Sequence, residues 1–365
     1  MMTFKQAAEN KALRLAWQRH DLLFNFSART SRGAISTKPS WILRFTHPEC
    51  PRPLYGEVNI LNGLSIESTT HFEESLIAFQ ESLNIGNWPD GDFWDKNPAL
   101  SFAVEMAEIE RLTDTAFELF PSDFTRGKAS IPINGLVWMD NVERMYNQAL
   151  AKIEAGFSCI KLKVGAEDFD LELALLSSLR KSFSPNELTI RVDANGAFAP
   201  SEALEKLKRL SDMGLHSIEQ PIRQGNRTKM AELCRLTPLP IALDEELIGV
   251  HSKEEKHQML DEIRPAYIIL KPALLGGLAA ADVWIEAARE RNVGWWATSA
   301  LESNIGLNAI AQWVFEKQTD LPQGLGTGQL YHNNFPSPLY VAGGELSFDR
   351  NKLWDMSQLP HDQWH

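Results

Sequence analysis

Six short apolar runs in this chain end on, or carry near their ends, a charged or hydroxyl residue at an almost constant interval. Lys163 lies in IKLKV, Asp193 closes LTIRVD, Glu219 closes HSIE, Asp244 closes PIALD, Lys271 closes YIILK and Ser299 closes VGWWATS. The successive spacings are 30, 26, 25, 27 and 28 residues. One strand, one helix and two loops fill that length. The period is that of a (β/α)8 barrel, an α/β architecture whose working side chains sit at the C-terminal ends of its strands. One such charge alone reads as a solvated strand end. Five in phase do not, because a barrel gathers them at one mouth, where unpaired buried charge is unfavourable. Three acids meeting two lysines predict a divalent-metal site with cationic groups beside it.

Bulk composition narrows the function class. A chain of 365 residues exceeds one ordinary domain, so a barrel plus a smaller partner is the natural division. The formal net charge of −12 disfavours nucleic acid or an anionic membrane as partner. Cys50, Cys159 and Cys234 have no metal or disulfide spacing and read as thiols of a reducing compartment. With no long apolar stretch and no apolar signal core near the start, the expected location is cytoplasmic.

Residues 1–125 differ in pattern from the rest of the chain. LLFNFSARTSRGAISTKPSWILRF reads as two strands joined by a polar loop over 29–39, and two helical patterns come after it, giving an α+β module. Residues 126–334 alternate strand and helix, with helices expected at 141–155, 168–182, 200–213, 226–236, 251–262, 277–291 and 303–316. The eighth strand falls on the glycine-rich segment 324–331, and the tail 335–365 is expected to pack back on the first module.

IKLKVG, RVDANGAF, SIEQPI, ALDEEL and YIILKPALLGG together resemble the enolase superfamily in its muconate-lactonizing-enzyme branch. Within that branch SALESNIGL followed by GLGTGQLY is similar to the o-succinylbenzoate synthases of menaquinone biosynthesis. The resemblance implies a modified TIM barrel with an N-terminal α+β capping domain. It implies that Asp193, Glu219 and Asp244 hold Mg²⁺, with Mn²⁺ able to substitute, as suits hard oxygen donors. It implies Lys163 as the base that removes a proton α to a carboxylate, with Lys271 stabilising the anion from the opposite side. A lysine base acting beside Mg²⁺ is the general pattern of this superfamily's chemistry.

The remaining candidates concern a small-molecule carboxylate substrate. Lys161 shares a strand face with Lys163 by the two-residue period. Asn195 reads equally as an orienting side chain or as a turn residue before Gly196. Dipeptide epimerases of the same branch carry two acids on the eighth strand to hold an amine. Gly326-Thr327-Gly328 stands there instead. Ser299 and Ser303, with Arg29 and Arg32 from the capping loop, are the expected donors to a substrate carboxylate. Glu245 and Glu246 read as outlying or surface acids, and Trp295 and Trp296 as core. The sequence leaves the oligomeric state open.

Overall fold

In a computed structural model the chain is described over residues 2–30, 33–165 and 168–365. Helix α1 (Phe4–Glu9) precedes a long antiparallel hairpin of β1 (Arg14–Thr30) and β2 (Gly33–Thr46), and β3 (Leu54–Asn59) joins the β2 edge. The polar stretch expected as a loop is largely strand: Arg29 pairs with Ala34 and Leu23 with Thr37. Its β-branched residues Thr30, Ile35 and Thr37 favour extended backbone. Along β2 the faces alternate. Trp41, Leu43 and Phe45 join a core with Phe4, Phe72 and Phe79, whereas Ile42 packs into the cluster centred on the barrel. Lys38 and Ser40 share the parity of Ile42 and are equally buried.

Helices α2 (Phe72–Ile85), α3 (Gly91–Lys96) and α4 (Pro98–Glu110) complete the module. Most of α4 is buried. On one side it meets β3, and on the other Ser101 Oγ donates to the Gly276 carbonyl at 2.9 Å while Glu105 accepts from the Ala279 amide at 2.9 Å. A Cβ at Gly56 would fall 2.1 Å from the Ala103 carbonyl oxygen, so glycine sets how closely β3 approaches α4. Gly56→Ala should therefore destabilise the protein by about 1–3 kcal/mol through overpacking. The readout is a lower denaturant midpoint at unchanged slope; an unchanged midpoint would mean that the helix yields freely.

The second part begins with β4 (Ile131–Pro132) and β5 (Gly135–Val137). It continues as α5 (Val142–Glu154), β6 (Cys159–Lys163), α6 (Phe169–Ser182), β7 (Thr189–Asp193), α7 (Ala203–Ser211), β8 (Ser217–Glu219), α8 (Arg227–Leu236) and β9 (Ile241–Leu243). It ends as α9 (Lys253–Ile263), β10 (Tyr267–Leu270), α10 (Pro272–Leu275), α11 (Leu278–Arg289), β11 (Gly294–Ala297) and α12 (Asn304–Glu316). Strands β5 to β11 form one parallel seven-stranded sheet in sequence order, the signature of a barrel wall. Each helical stretch expected from the sequence is present. Asp168 caps α6 through the Asp170 amide, whereas Glu202 at the N-cap position of α7 makes no side-chain cap.

The eighth stave departs from expectation. Ile133 bridges Gln323 and Thr298 bridges Gly324, so two residues close the gap between β11 and the start of the wall. Beyond them Gly326–Gln329 forms a short 3₁₀ turn in place of a strand. A Cβ at Gly324 would lie 2.2 Å from Thr298 Oγ1, so this closure needs a bare backbone, and glycine-rich sequence does not sustain a longer ladder.

The tail forms a hairpin, β12 (Leu339–Ala342) and β13 (Glu345–Phe348), that adds to β4. Beyond it Trp354 stacks on Phe117 at 4.3 Å, and His365 exchanges backbone hydrogen bonds with Trp17.

Candidate active site

Parallel register puts the strand-end charges in a row. Lys163 is paired with Asp193 across β6 and β7, and Asp193 with Glu219 across β7 and β8. Asp244 follows β9 directly, and Lys271 follows β10. All three carboxylates are buried. Asp193 Oδ2 accepts from Lys161 at 2.8 Å and Lys163 at 2.6 Å, while its Oδ1 accepts from the Asn195 amide at 2.9 Å. Lys161 also donates to Glu219 Oε2 at 2.8 Å, and Lys271 is ion-paired with Asp244.

Electrostatics divides the acids. Burial alone would raise Asp193, but the two lysine ammoniums outweigh it and hold the carboxyl well below the usual range. Burial pushes Glu219 upward, and the Asp193 charge adds to it. Asp244 is also raised, by burial, with Lys271 opposing. Burial works against the Lys161 ammonium, yet Asp193 and Glu219 together raise it above the ordinary lysine value. Lys271 is raised in the same manner, burial being outweighed by Asp244 and Glu219. Two of the lysines are thus held as cations.

Asn195 is a turn residue whose side chain also reaches Lys163. Its backbone is left-handed, with φ +44°, as a turn residue before glycine requires. Its side chain accepts from Lys163 Nζ through Oδ1 and donates to Glu245 Oε1 at 3.0 Å through Nδ2. Glu245 and Glu246 are buried, not on the surface; Glu246 accepts from Gln220 and from the Gly225 amide. The chain from Lys163 through Asn195 to Glu245 fixes the lysine laterally.

A cavity of about 1210 Å³ opens over this cluster. Lys161, Lys163, Asp193, Asn195, Glu219, Lys271 and Ser299 line it from the barrel. Asp244 lies behind Lys271 and is not part of the lining. Residues 35–39 of β2 supply wall from the capping module. Ser303 is corrected as a substrate donor: it is fully buried, and its hydroxyl donates to Glu57 Oε2 at 2.6 Å while capping α12. Ser299 does reach the cavity, but its hydroxyl is engaged with Glu302 and accepts from the Leu301 amide at 2.9 Å. Arg32 lies outside the described residues, and the side chain of Arg29 does too. Trp295 and Trp296 are core residues as expected, with the Arg191 guanidinium 3.9 Å over Trp296.

The acid cluster suits a hard dication. Its donors are all carboxylate oxygens, and Glu219 Oε1 is buried without a hydrogen-bond partner. Among the described residues no three acidic, His or Cys side chains stand as a ready-made cage, because lysines occupy the carboxylates. Metal binding would exchange those lysine contacts for metal contacts, with Asp193, Glu219 and Asp244 as the ligands.

The family model for the enolase C-terminal domain-like fold matches residues 144–351. The o-succinylbenzoate synthase of Desulfotalea psychrophila is 48% identical to this chain, over 92% of it and 98% of the relative. The chain belongs to the enolase superfamily. Among its enzymes, the crystal structure of MenC from Desulfotalea psychrophila superposes with a TM-score of 0.82 at 45% identity, over 92% of this chain and 99% of that one. A muconate lactonizing enzyme from Pseudomonas fluorescens reaches a TM-score of 0.79 at 19% identity over 97% and 99% of the two chains, a likeness of fold alone. The N-succinylamino acid racemase of Amycolatopsis is 24% identical over 67% of this chain and 65% of that protein.

Lys38 in the cavity wall, and Glu57 and Glu302 behind it, are residues that the strand-end spacing of this enolase-superfamily chain does not pick out. Glu57 left a signal, an acid inside the apolar strand LYGEVNI. It accepts from Ser40 Oγ at 2.6 Å, the Ser303 amide at 2.8 Å and the Gly306 amide at 2.8 Å, tying β3 to the start of α12. Lys38 left none, because a lysine among hydroxyls reads as solvated.

Proposed function

We propose that the protein is an o-succinylbenzoate synthase, which dehydrates 2-succinyl-6-hydroxy-2,4-cyclohexadiene-1-carboxylate in menaquinone biosynthesis. The similarity to the Desulfotalea psychrophila synthase along nearly the whole of both chains is the observation that carries this reading. The arrangement of the lysines supports it. Lys163 removes the α-proton, leaving an enediolate, and returns that proton to the departing hydroxyl on the same face, so that water leaves and the ring becomes aromatic. Mg²⁺, when bound by Asp193, Glu219 and Asp244, neutralises the negative charge that develops on the substrate carboxylate. Lys271 faces the anion from the β10 side as a fixed cation, and Lys161 keeps Asp193 charged and aligns it with Glu219. Asn195 orients Lys163. Ser299, Arg29 and Arg32 are proposed on the substrate side, as donors to its carboxylates.

A second reading is an N-acylamino acid racemase, favoured by the lysines on two sides of the cluster and by the likeness to the Amycolatopsis racemase. There Lys271 would act as the second base. The absence of acids at Gly326-Thr327-Gly328 goes against a substrate amine in either case.

Purified protein with Mg²⁺ should convert the cyclohexadiene acid with a kcat/KM at least a hundredfold above that for any N-succinylamino acid. Racemisation as the faster reaction would replace the first reading by the second.

A further inference from the structure

Lys38 is an ammonium buried at the cavity wall with no counterion in contact among the described residues. It is 2% exposed and lines the same cavity as Lys163 and Lys271. Its one hydrogen bond among the described residues is a long one, 3.5 Å to the carbonyl of Pro39. The carboxylates nearest in effect are Glu57 and Glu302, and neither makes an ion pair with it. Glu57 is committed elsewhere, being filled by Ser40, by both donors of Ser303 and by the Gly306 amide, while Glu302 takes the Ser299 hydroxyl on Oε2 and its Oε1 is buried with no hydrogen-bond partner among the described residues.

A buried ammonium held this way is unfavourable unless an anion arrives. A second donor lining the same cavity is in the same condition: Thr327 Oγ1, from the 3₁₀ turn at the eighth stave, is buried with no hydrogen-bond partner among the described residues. The strand-end lysines and acids already account for the carboxylate at the reacting carbon. Of the donors that sequence offered for a second carboxylate, Ser303 is sealed against Glu57. Burial pulls the Lys38 ammonium down to about 8, with Glu57 and Glu302 opposing, so it remains mostly charged at neutral pH.

We infer that Lys38, assisted by Thr327, is the subsite for the distal carboxylate of a ligand's succinyl arm. The inference rests on the proposed substrate class, and both the dehydratase and the racemase readings supply such an arm. Lys38 takes no part in the proton transfers. It selects the ligand by pairing with a charge several bonds away from the reacting carbon.

Calorimetric binding in the presence of Mg²⁺ tests this without turnover. The probes are 2-succinylbenzoate and 2-butanoylbenzoate, which differ in the distal carboxylate. The wild-type protein should prefer the diacid by about ten- to a hundredfold, the range of one charge-assisted contact. Lys38→Met should remove most of that preference and leave the affinity for the monoacid within about threefold of wild type, well inside that range. Thr327→Val should reduce the preference by a smaller factor, and it serves as the second variant if Lys38→Met does not fold. Equal binding of the two probes by wild type, or a preference that survives in Lys38→Met, overturns the inference. If the protein fails to dehydrate the cyclohexadiene acid but loses its diacid preference in Lys38→Met, the proposed reaction falls and the subsite stands. Normal dehydration with an unchanged preference in the variant does the reverse.

Discussion

Lys163→Ala should lose dehydration by roughly 10²–10⁴-fold or more, and with it the exchange of the substrate α-proton against deuterated water. The geometry explains why no neighbour stands in. Lys161 is gripped by two carboxylates and Lys271 by Asp244, and both ammoniums are held above the ordinary lysine value. Lys163 shares one carboxylate with Lys161, and its other contact is the neutral amide of Asn195. A variant that kept more than about a tenth of the rate, far above what loss of a base allows, would move the base elsewhere. Exchange and turnover should disappear together, since both need the same proton removed.

Removing the acids should have equally large effects on activity but opposite effects on stability. Asp193→Asn, Glu219→Gln and Asp244→Asn are each expected to abolish Mg²⁺ binding by calorimetry, and turnover should vanish in the variants as it does in excess chelator. Full activity in chelator would remove the metal from the proposal. For the metal-free protein the pKa directions set the signs. Glu219 is raised by burial and by Asp193, so its contribution to stability is best at low pH and declines as pH rises above the unfolded carboxylate value of about 4.3. Glu219→Gln should therefore hold or raise the melting temperature at pH 8. Asp193 is depressed because its lysine contacts outweigh burial; its contribution is full above about pH 4 and is lost as pH falls below that. Asp193→Asn leaves two ammoniums short of a partner and should lower the melting temperature at neutral pH. Expecting relief of repulsion from all three substitutions, as acid crowding alone suggests, overlooks the lysines bound to Asp193.

The 25- to 30-residue spacing of charged strand ends specifies the barrel wall, and with it the meeting of Lys161, Lys163, Asp193, Glu219, Asp244 and Lys271. This was legible because strand, helix and loop lengths are local quantities, and parallel order turns a constant interval into a row across the sheet. The eighth stave was not legible. A closure of two residues has no periodicity to read, and Gly324 is placed by the approach of Thr298 from a neighbouring strand. The polar stretch at 29–39 misled for a related reason, since hydroxyl-rich sequence suits a loop and a hairpin equally well.

Sequence by itself determined which chemical groups stand at the barrel mouth, because strand parity and repeat length are written along the chain. Only the tertiary structure decided which of the polar residues are spent on holding the two parts together and which are left to face the cavity. Ser303 reads like a ligand donor and is consumed by Glu57, while Lys38 reads like surface and is buried facing the site. Those outcomes depend on how β2 and β3 sit against the start of α12. Burial and hydrogen-bond satisfaction are set by contacts between residues more than two hundred positions apart, as between Glu57 and Ser303, which no local pattern encodes.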